Sequence, residues 1–287
     1  MNGLVSVIAD GAAYGMLLLL FSIGLSVTLG LMRFINLAHG AFAMCGGYVA
    51  TTLLNRAGLP FLLTLPCAFL ATAAIGVVAE RAVIRHVYRM AALQQVLFSI
   101  GLAFAASAVA TIIFGPQQQA MLLPDWLARQ IDLGGVRIGG YRLFLLVGGM
   151  VAAAALLALF NHTLFGARIR AAVDSRRTAE GIGIDVDRLF AVAFALGAGL
   201  AGLGGAMSVA YLGLDPTFPF KYLVIVLMVV AIGGPGSIGG SVAAALGLGI
   251  IDALFKYFVP EIGSFVIYAL LVITMLLFPT GLAGRRA

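Results

Sequence analysis

The sequence predicts an all-α, polytopic membrane bundle of about eight or nine transmembrane helices, the number set by span length. Three observations predict it. The chain is 62% hydrophobic and only 10% charged, where an ordinary soluble domain carries about 25% charged residues. Charge that sparse, with a mean hydropathy of +1.12, cannot coat a surface for water. The apolar residues come in continuous runs and not in period-two alternation, which favours helices over a barrel. The 37 glycines agree, since Gly is commoner in membrane helices than in soluble ones.

A hydrocarbon core of about 30 Å takes roughly 20 residues of helix. Runs of that scale occupy 12–31, 38–54, 60–79, 93–114, 143–160, 189–212, 221–239, 241–258 and 262–278. The first is not a cleavable signal peptide, because Met1 to Asp10 holds no Lys or Arg and the run exceeds a signal core. The longest polar stretches, 115–142 and 161–188, leave no room for a soluble domain. Residues 1–287 therefore read as one transmembrane domain. The run 221–239 is the exception. Its apolar helix extends from Lys221 to Ile232, about 18 Å, before Gly233-Gly234-Pro235-Gly236. It reads as a broken span, or as a half-span that enters and returns.

The formal charge of +6 does not indicate nucleic acid, because the cations are spread over loops and sort by membrane side. With the N-terminus outside, Arg33, Arg81, Arg85, Arg89, Arg168, Arg170, Arg176, Arg177, Arg188, Arg285 and Arg286 face the cytoplasm. Arg56, Arg129, Arg137, Arg142, Lys221 and Lys256 face out, an 11 to 6 split of the 17. An excess of Lys and Arg in short inner loops sets orientation, so N-out and C-in is expected. Loops 80–92 and 161–188, two spans apart, must share a side.

Gly233 to Gly240 reads GGPGSIGG. Gly234, Gly236 and Gly239 match GxGxxG, but a dinucleotide site needs a preceding strand and a later acid, and Asp252 comes too soon. The plain reading is a tight turn between spans. The functional one is a helix break near a water-filled path, using Gly233, Gly234, Pro235, Gly236, Ser237, Gly239 and Gly240. Residues 195–206 read ALGAGLAGLGGA, with small residues spaced for close helix contact, inside the chain or with a partner permease. Asp252 and Lys256, at i and i+4, read as a neutralising pair, with a substrate site as the alternative. In 161–188, Arg168 to Ala179 reads as a short amphipathic surface helix stopped by Gly181 and Gly183; the plain alternative is a basic loop that anchors topology. Cys45 and Cys67 lie in apolar runs without a CxxC partner and read as buried small side chains, with no metal site. His39, His86 and His162 are scattered. There is no nucleophile elbow, HExxH or P-loop, so the chain reads as a non-enzyme that binds no cofactor and no ATP itself.

Arg33-Phe34-Ile35-Asn36-Leu37-Ala38-His39-Gly40 resembles the NxAHG signature of Liv-type permeases, carried by Asn36, Ala38, His39 and Gly40. These are membrane subunits of branched-chain amino acid ABC importers. Glu80-Arg81, the stretch from Arg170-Ala171-Ala172 to Glu180-Gly181-Ile182, and GGPGSIGG fit the same family. The resemblance runs from Tyr14 to Gly281. Pro235 departs from it, where many relatives are expected to have another residue.

The resemblance implies a permease subunit of an ATP-driven importer, the shorter of a pair, that forms the path for branched-chain or related amino acids. It implies a second homologous permease, two cytoplasmic ATPase subunits that hydrolyse the ATP, an extracytoplasmic binding protein, and a bacterial inner-membrane location. The 161–188 segment becomes the ATPase-coupling loop, with Arg170, Ala171, Ala172, Glu180, Gly181 and Ile182 at the contact. Ala171 and Ala172 are expected to enter a cleft, Glu180 to pair with a partner cation, and Gly181 to supply the turn. A permease for urea, short amides or another small solute shares these motifs. An ion-coupled carrier is a further alternative, for which Asp252 near a helix end is poor provision.

Overall fold

A computed structural model describes residues 2–32, 34–88, 90–132, 137–278 and 281–282. Arg33, Arg89, Arg285 and Arg286 of the charge count lie outside the described residues, as does the side chain of Arg137. Every apolar run is helical over most of its length. The order is α1 (Asn2–Met32), α2 (His39–Asn55), α3 (Phe61–Ala79), a π-turn at Glu80–Ile84, α4 (Arg85–Val87), α5 (Ala92–Phe114) and α6 (Asp125–Ala128). A hairpin of β1 (Gln130–Asp132) and β2 (Arg137–Gly139) follows. Then come α7 (Gly140–His162), α8 (Leu164–Asp174), α9 (Arg176–Gly181), α10 (Val186–Leu212), α11 (Phe218–Gly233), α12 (Ile238–Phe258) and α13 (Pro260–Leu277). Among the described residues, six helices are long and apolar enough to cross a membrane. The molecule is an all-α polytopic membrane bundle.

α11 is longer than the sequence implies but still short. Its 16 residues rise about 24 Å, less than the hydrocarbon core. It ends at Gly233, and the run 221–239 breaks there. A further difference lies in 161–188, where the expected single helix is two. Thr163 caps α8, which starts at Leu164, four residues before Arg168, and Ser175, in extended backbone, interrupts the helix and restarts it. The Ser175 hydroxyl accepts the Thr178 amide at 3.3 Å, as an N-cap does.

α10 is the hub. The small-residue stripe on it is buried inside this chain, against α1, α2 and α3. A Cβ added at Gly197 would lie 3.0 Å from Gly24 Cα of α1. Ala198 meets Gly76 of α3, and Gly202 meets Thr72. The stripe's closeness thus serves packing within the bundle, and its buried residues are not offered to a partner permease. The outer helices show the opposite pattern. Leu70, Val78, Leu93, Leu97 and Ile112 are exposed, which suits contact with lipid. Cys67 is also exposed and Cys45 half-buried, so the expected burial fails for Cys67. Its helix turns that face outward.

Two ion pairs tie the end that carries the N-terminus. Asp10 of α1 meets Arg142 of α7 at 2.6 Å, which puts the start of the chain and the end of 115–142 together. Lys256 Nζ meets Asp252 Oδ2 at 2.7 Å, and the ammonium lies 6.0 Å from the Tyr14 ring centroid. Asp252 is buried, and its Oδ1 has no hydrogen-bond partner among the described residues. Asp252 is buried and Lys256 exposed, so removing Lys256 strands a buried carboxylate. Lys256→Met should therefore lower the thermal midpoint more than Asp252→Asn/Lys256→Met, by about 1 kcal/mol or roughly 2–4 °C. Thermal unfolding in detergent checks this. Unchanged stability in both variants, with substrate uptake lost, would instead place the pair in the transport path.

Candidate functional site

Two of the segments that carry motifs, 80–88 and 163–188, converge at the Arg-bearing end. A basin of about 970 Å³ there is lined by Gly30 and Met32 at the end of α1, by Glu80, Arg81, Arg85, His86 and Tyr88, and by Ala172, Arg176, Asp187 and Arg188. Loops 80–92 and 161–188 thus share one end. The π-turn contributes Glu80, which is buried and accepts the Tyr88 hydroxyl at 3.3 Å. Such turns inside α-helices are frequent at functional sites.

Arg176 organises the 163–185 segment. Its Nε donates to Glu180 at 2.8 Å and its Nη2 to Asp187 at 2.7 Å. Its guanidinium carbon lies 5.9 Å from the Phe190 ring centroid, within cation–π range. The Glu180 bond raises the Arg176 pKa against the opposing effect of burial, and Asp187 adds to the rise. Asp185 caps α10 by accepting the Arg188 amide at 2.9 Å. The clamp role of Arg176 and Asp187 was hidden in the sequence, because their spacing crosses the break between α9 and α10.

The expected coupling residues are placed unequally. Arg170 donates to the Phe160 carbonyl. Ala171 is half-buried. Ala172 is 3% exposed and packs with Ile169, Ala179, Val186, Leu189 and Phe190. It holds α8 onto α10 and is not free to enter a cleft. Glu180 is exposed but already engaged by Arg176. Gly181 faces open space and is not among the positive-φ glycines; Gly183, at φ +88°, makes the turn instead. Ile182 is 72% exposed, and so, unforeseen, is Leu164 at 74%. A second hollow of about 680 Å³ lies beside Ile182, Gly183, Arg168 and Arg188.

The NxAHG segment forms the junction of α1 and α2. Asn36 Oδ1 accepts the Ala38 amide at 3.1 Å, and Asn36 O accepts the His39 amide at 3.3 Å. The Ile35 amide donates to Gln95 Oε1 at 3.3 Å and Ile35 O accepts Ser99 Oγ at 3.3 Å. Helix α5 thus satisfies the unwound backbone, as membrane depth demands. Gly40 packs on Pro219 at the start of α11. Just before that helix, burial disfavours the Asp215 carboxylate. Lys221 and the Thr217 hydroxyl and amide outweigh this and hold its pKa below the usual range.

GGPGSIGG is a tight turn with helix on both sides, so the strand a dinucleotide site requires is absent there. Gly234 and Gly236 have φ of +90° and +78°. The Gly236 amide donates to Ser26 O at 3.0 Å, and Ser241 and Ser26 hydroxyls lie 3.0 Å apart. Ser237 accepts the Gly240 amide at 3.1 Å and starts α12. Pro235 fits between Gly234 and Gly236 without breaking either helix, because it sits in the turn.

Residues 7–275 match the family described as "Branched-chain amino acid transport system / permease component". The high-affinity branched-chain amino acid transport system permease protein LivH of Salmonella typhimurium is 26% identical, over 96% of this chain and 94% of its own. LivH of Escherichia coli K12 is likewise 26% identical over the same shares. The corresponding permease protein BraD of Pseudomonas aeruginosa is 25% identical, over 97% and 95%. No solved structure matches the chain. With a bundle of apolar helices, a cationic end where two of the motif segments meet, and a family match along nearly its whole length, the chain belongs to the permease-component family of branched-chain amino acid transport systems, and it is a multi-pass membrane transport subunit and not an enzyme.

Proposed function

We propose that this chain, acting as a single transmembrane domain, forms the translocation path of an ATP-driven importer for branched-chain amino acids. The family match over residues 7–275 carries this reading, together with relatives named for that substrate class. Those names favour branched-chain amino acids over urea or short amides. Against an ion-coupled carrier stands the pairing of Asp252 with Lys256. The partners proposed are a second homologous permease, two ATPases docked on the Arg-bearing end, and an extracytoplasmic binding protein. The chain itself binds neither nucleotide nor another cofactor. The excess of Arg on loops 80–92 and 161–188 supports the inner membrane with the N-terminus outside and the C-terminus cytoplasmic.

One reconstitution tests the reading. Vesicles with permeases, ATPases and binding protein should take up leucine only with ATP, and the permease alone should transport nothing under a proton or sodium gradient. In the same vesicles, without Cys45 and Cys67, an impermeant thiol reagent should reach Ser175→Cys only from the ATP side. Gradient-driven uptake by the permease alone would move the chain to the carrier class. Labelling of position 175 from the opposite side would reverse the topology.

A further inference from the structure

We propose that the α1–α2 junction is the subsite that binds the carboxylate of the transported amino acid, an inference that rests on the substrate reading above. Asn36 and His39 are 1% and 2% exposed. Among the described residues, Asn36 Nδ2 and both ring nitrogens of His39 have no hydrogen-bond partner. Buried polar groups are rarely left so, because desolvation goes uncompensated. Here two such side chains line one cavity, with Phe21, Leu25, Tyr222 and Val226 around it.

The chemistry of the cavity selects its occupant. An amide NH₂ offers two donors, and a neutral imidazole offers one donor and one acceptor. Helix α2 starts here at Ala38 without a side-chain cap, so its positive end adds to the field. Donors that converge at the start of a discontinuous helix call for an anionic acceptor; such half-helix ends hold substrate carboxylates in other transporter folds. The remaining wall is aliphatic and aromatic, which suits a branched side chain on the same molecule. The site is also deep in the bundle. Phe21 lies well inside α1, and the Phe218 ring packs on it with centroids 5.6 Å apart.

In this conformation the cavity has about 10 Å³ of free space, enough for about one water. An amino acid enters only if α11 parts from α2, at the contact of Gly40 with Pro219. Positive-φ glycines flank α11 at Gly213 and Gly234, and these are the positions at which a displaced α11 would pivot. Carboxylate binding would then be coupled to the displacement of the shortest helix that lines the cavity.

The test uses the purified permease–ATPase complex without binding protein, so that only the permease reads the ligand. Millimolar leucine should raise its thermal midpoint by about 2–4 °C, by preferential binding to the folded state. Leucinamide, which has the side chain but no carboxylate, should not. Asn36→Ala and His39→Ala should each remove the leucine shift, and His39→Gln, which restores donors, should keep most of it. Equal shifts with leucine and leucinamide would overturn the proposal, as would a leucine shift that survives both alanine variants. If the wild-type complex transports leucine yet shows no shift, the cavity holds water only and the proposal fails. Should an alanine variant not assemble, the wild-type comparison and His39→Gln still decide. Failure of the reconstituted wild type to transport leucine at all would sink the substrate reading itself, a separate result.

Discussion

Gly205→Val is expected to prevent folded protein from accumulating in the membrane. Gly205 lies on α10, the helix that α1, α2 and α3 surround. A Cβ there would overlap the Ala43 carbonyl of α2, and the nearest atoms are backbone. A side chain in the way could rotate, but a carbonyl on a helix cannot give without moving α2. Overpacking a dense interior typically costs about 1–3 kcal/mol, and a backbone clash belongs at or above the top of that range. Moving α2 would also disturb Gly46, which abuts Gly202 on the same face. Gly101→Val on α5 is the control, because a Cβ there meets nothing within 4 Å. The two variants differ little in helix propensity, so context decides. Membrane yield and thermal midpoint in detergent separate them. If Gly205→Val accumulates and melts like Gly101→Val, α10 is not packed as described.

The helices were legible because span length and apolar continuity are one-dimensional properties. The end of α11 was legible too, since Gly233-Gly234-Pro235-Gly236 cannot continue a helix. The small residues from Ala195 to Gly205 announced close packing but not its partner. Whether Gly202 meets a helix of its own chain or of another is a matter of tertiary arrangement. The break in 161–188 was written in Ser175-Arg176-Arg177-Thr178, a cap signal outweighed by the helix formers around it. Gly181 and Gly183 looked equivalent as stop signals, and only the backbone shows that Gly183 carries the positive φ. At the junction, the motif pointed to Asn36 and His39 by resemblance alone. That Asn36 Nδ2 and the His39 ring nitrogens lack partners among the described residues, and share a cavity with α11, depends on residues about 180 positions away (a contact no local pattern encodes).

Gly181→Val should leave the permease folded and inserted, yet remove its ATPase. The reason differs from a simple turn requirement. Gly181 ends α9 with open space around its Cα, so valine strains nothing within the chain. What it changes is the outer surface beside Ile182, which with Leu164 is one of the two most exposed large apolar side chains of 163–185. Exposed apolar side chains on a cationic segment are what a protein partner would cover. A β-branched side chain added at such a contact keeps the partner from seating, and one blocked close approach is enough to lose a docked complex. Gly183→Val is the informative contrast. At φ +88° it would strain the backbone itself by about 1–3 kcal/mol, so it should lower both stability and coupling. Tagged permease with Gly181→Val is expected to match wild type in membrane yield and thermal midpoint, to retain less than about a tenth of the ATPase, about 1.4 kcal/mol of contact, and to lose ATP-driven uptake in proportion. Full ATPase recovery with normal uptake would remove 163–185 from the docking surface. The segment would then be a topology anchor, with Arg176 as its internal clamp.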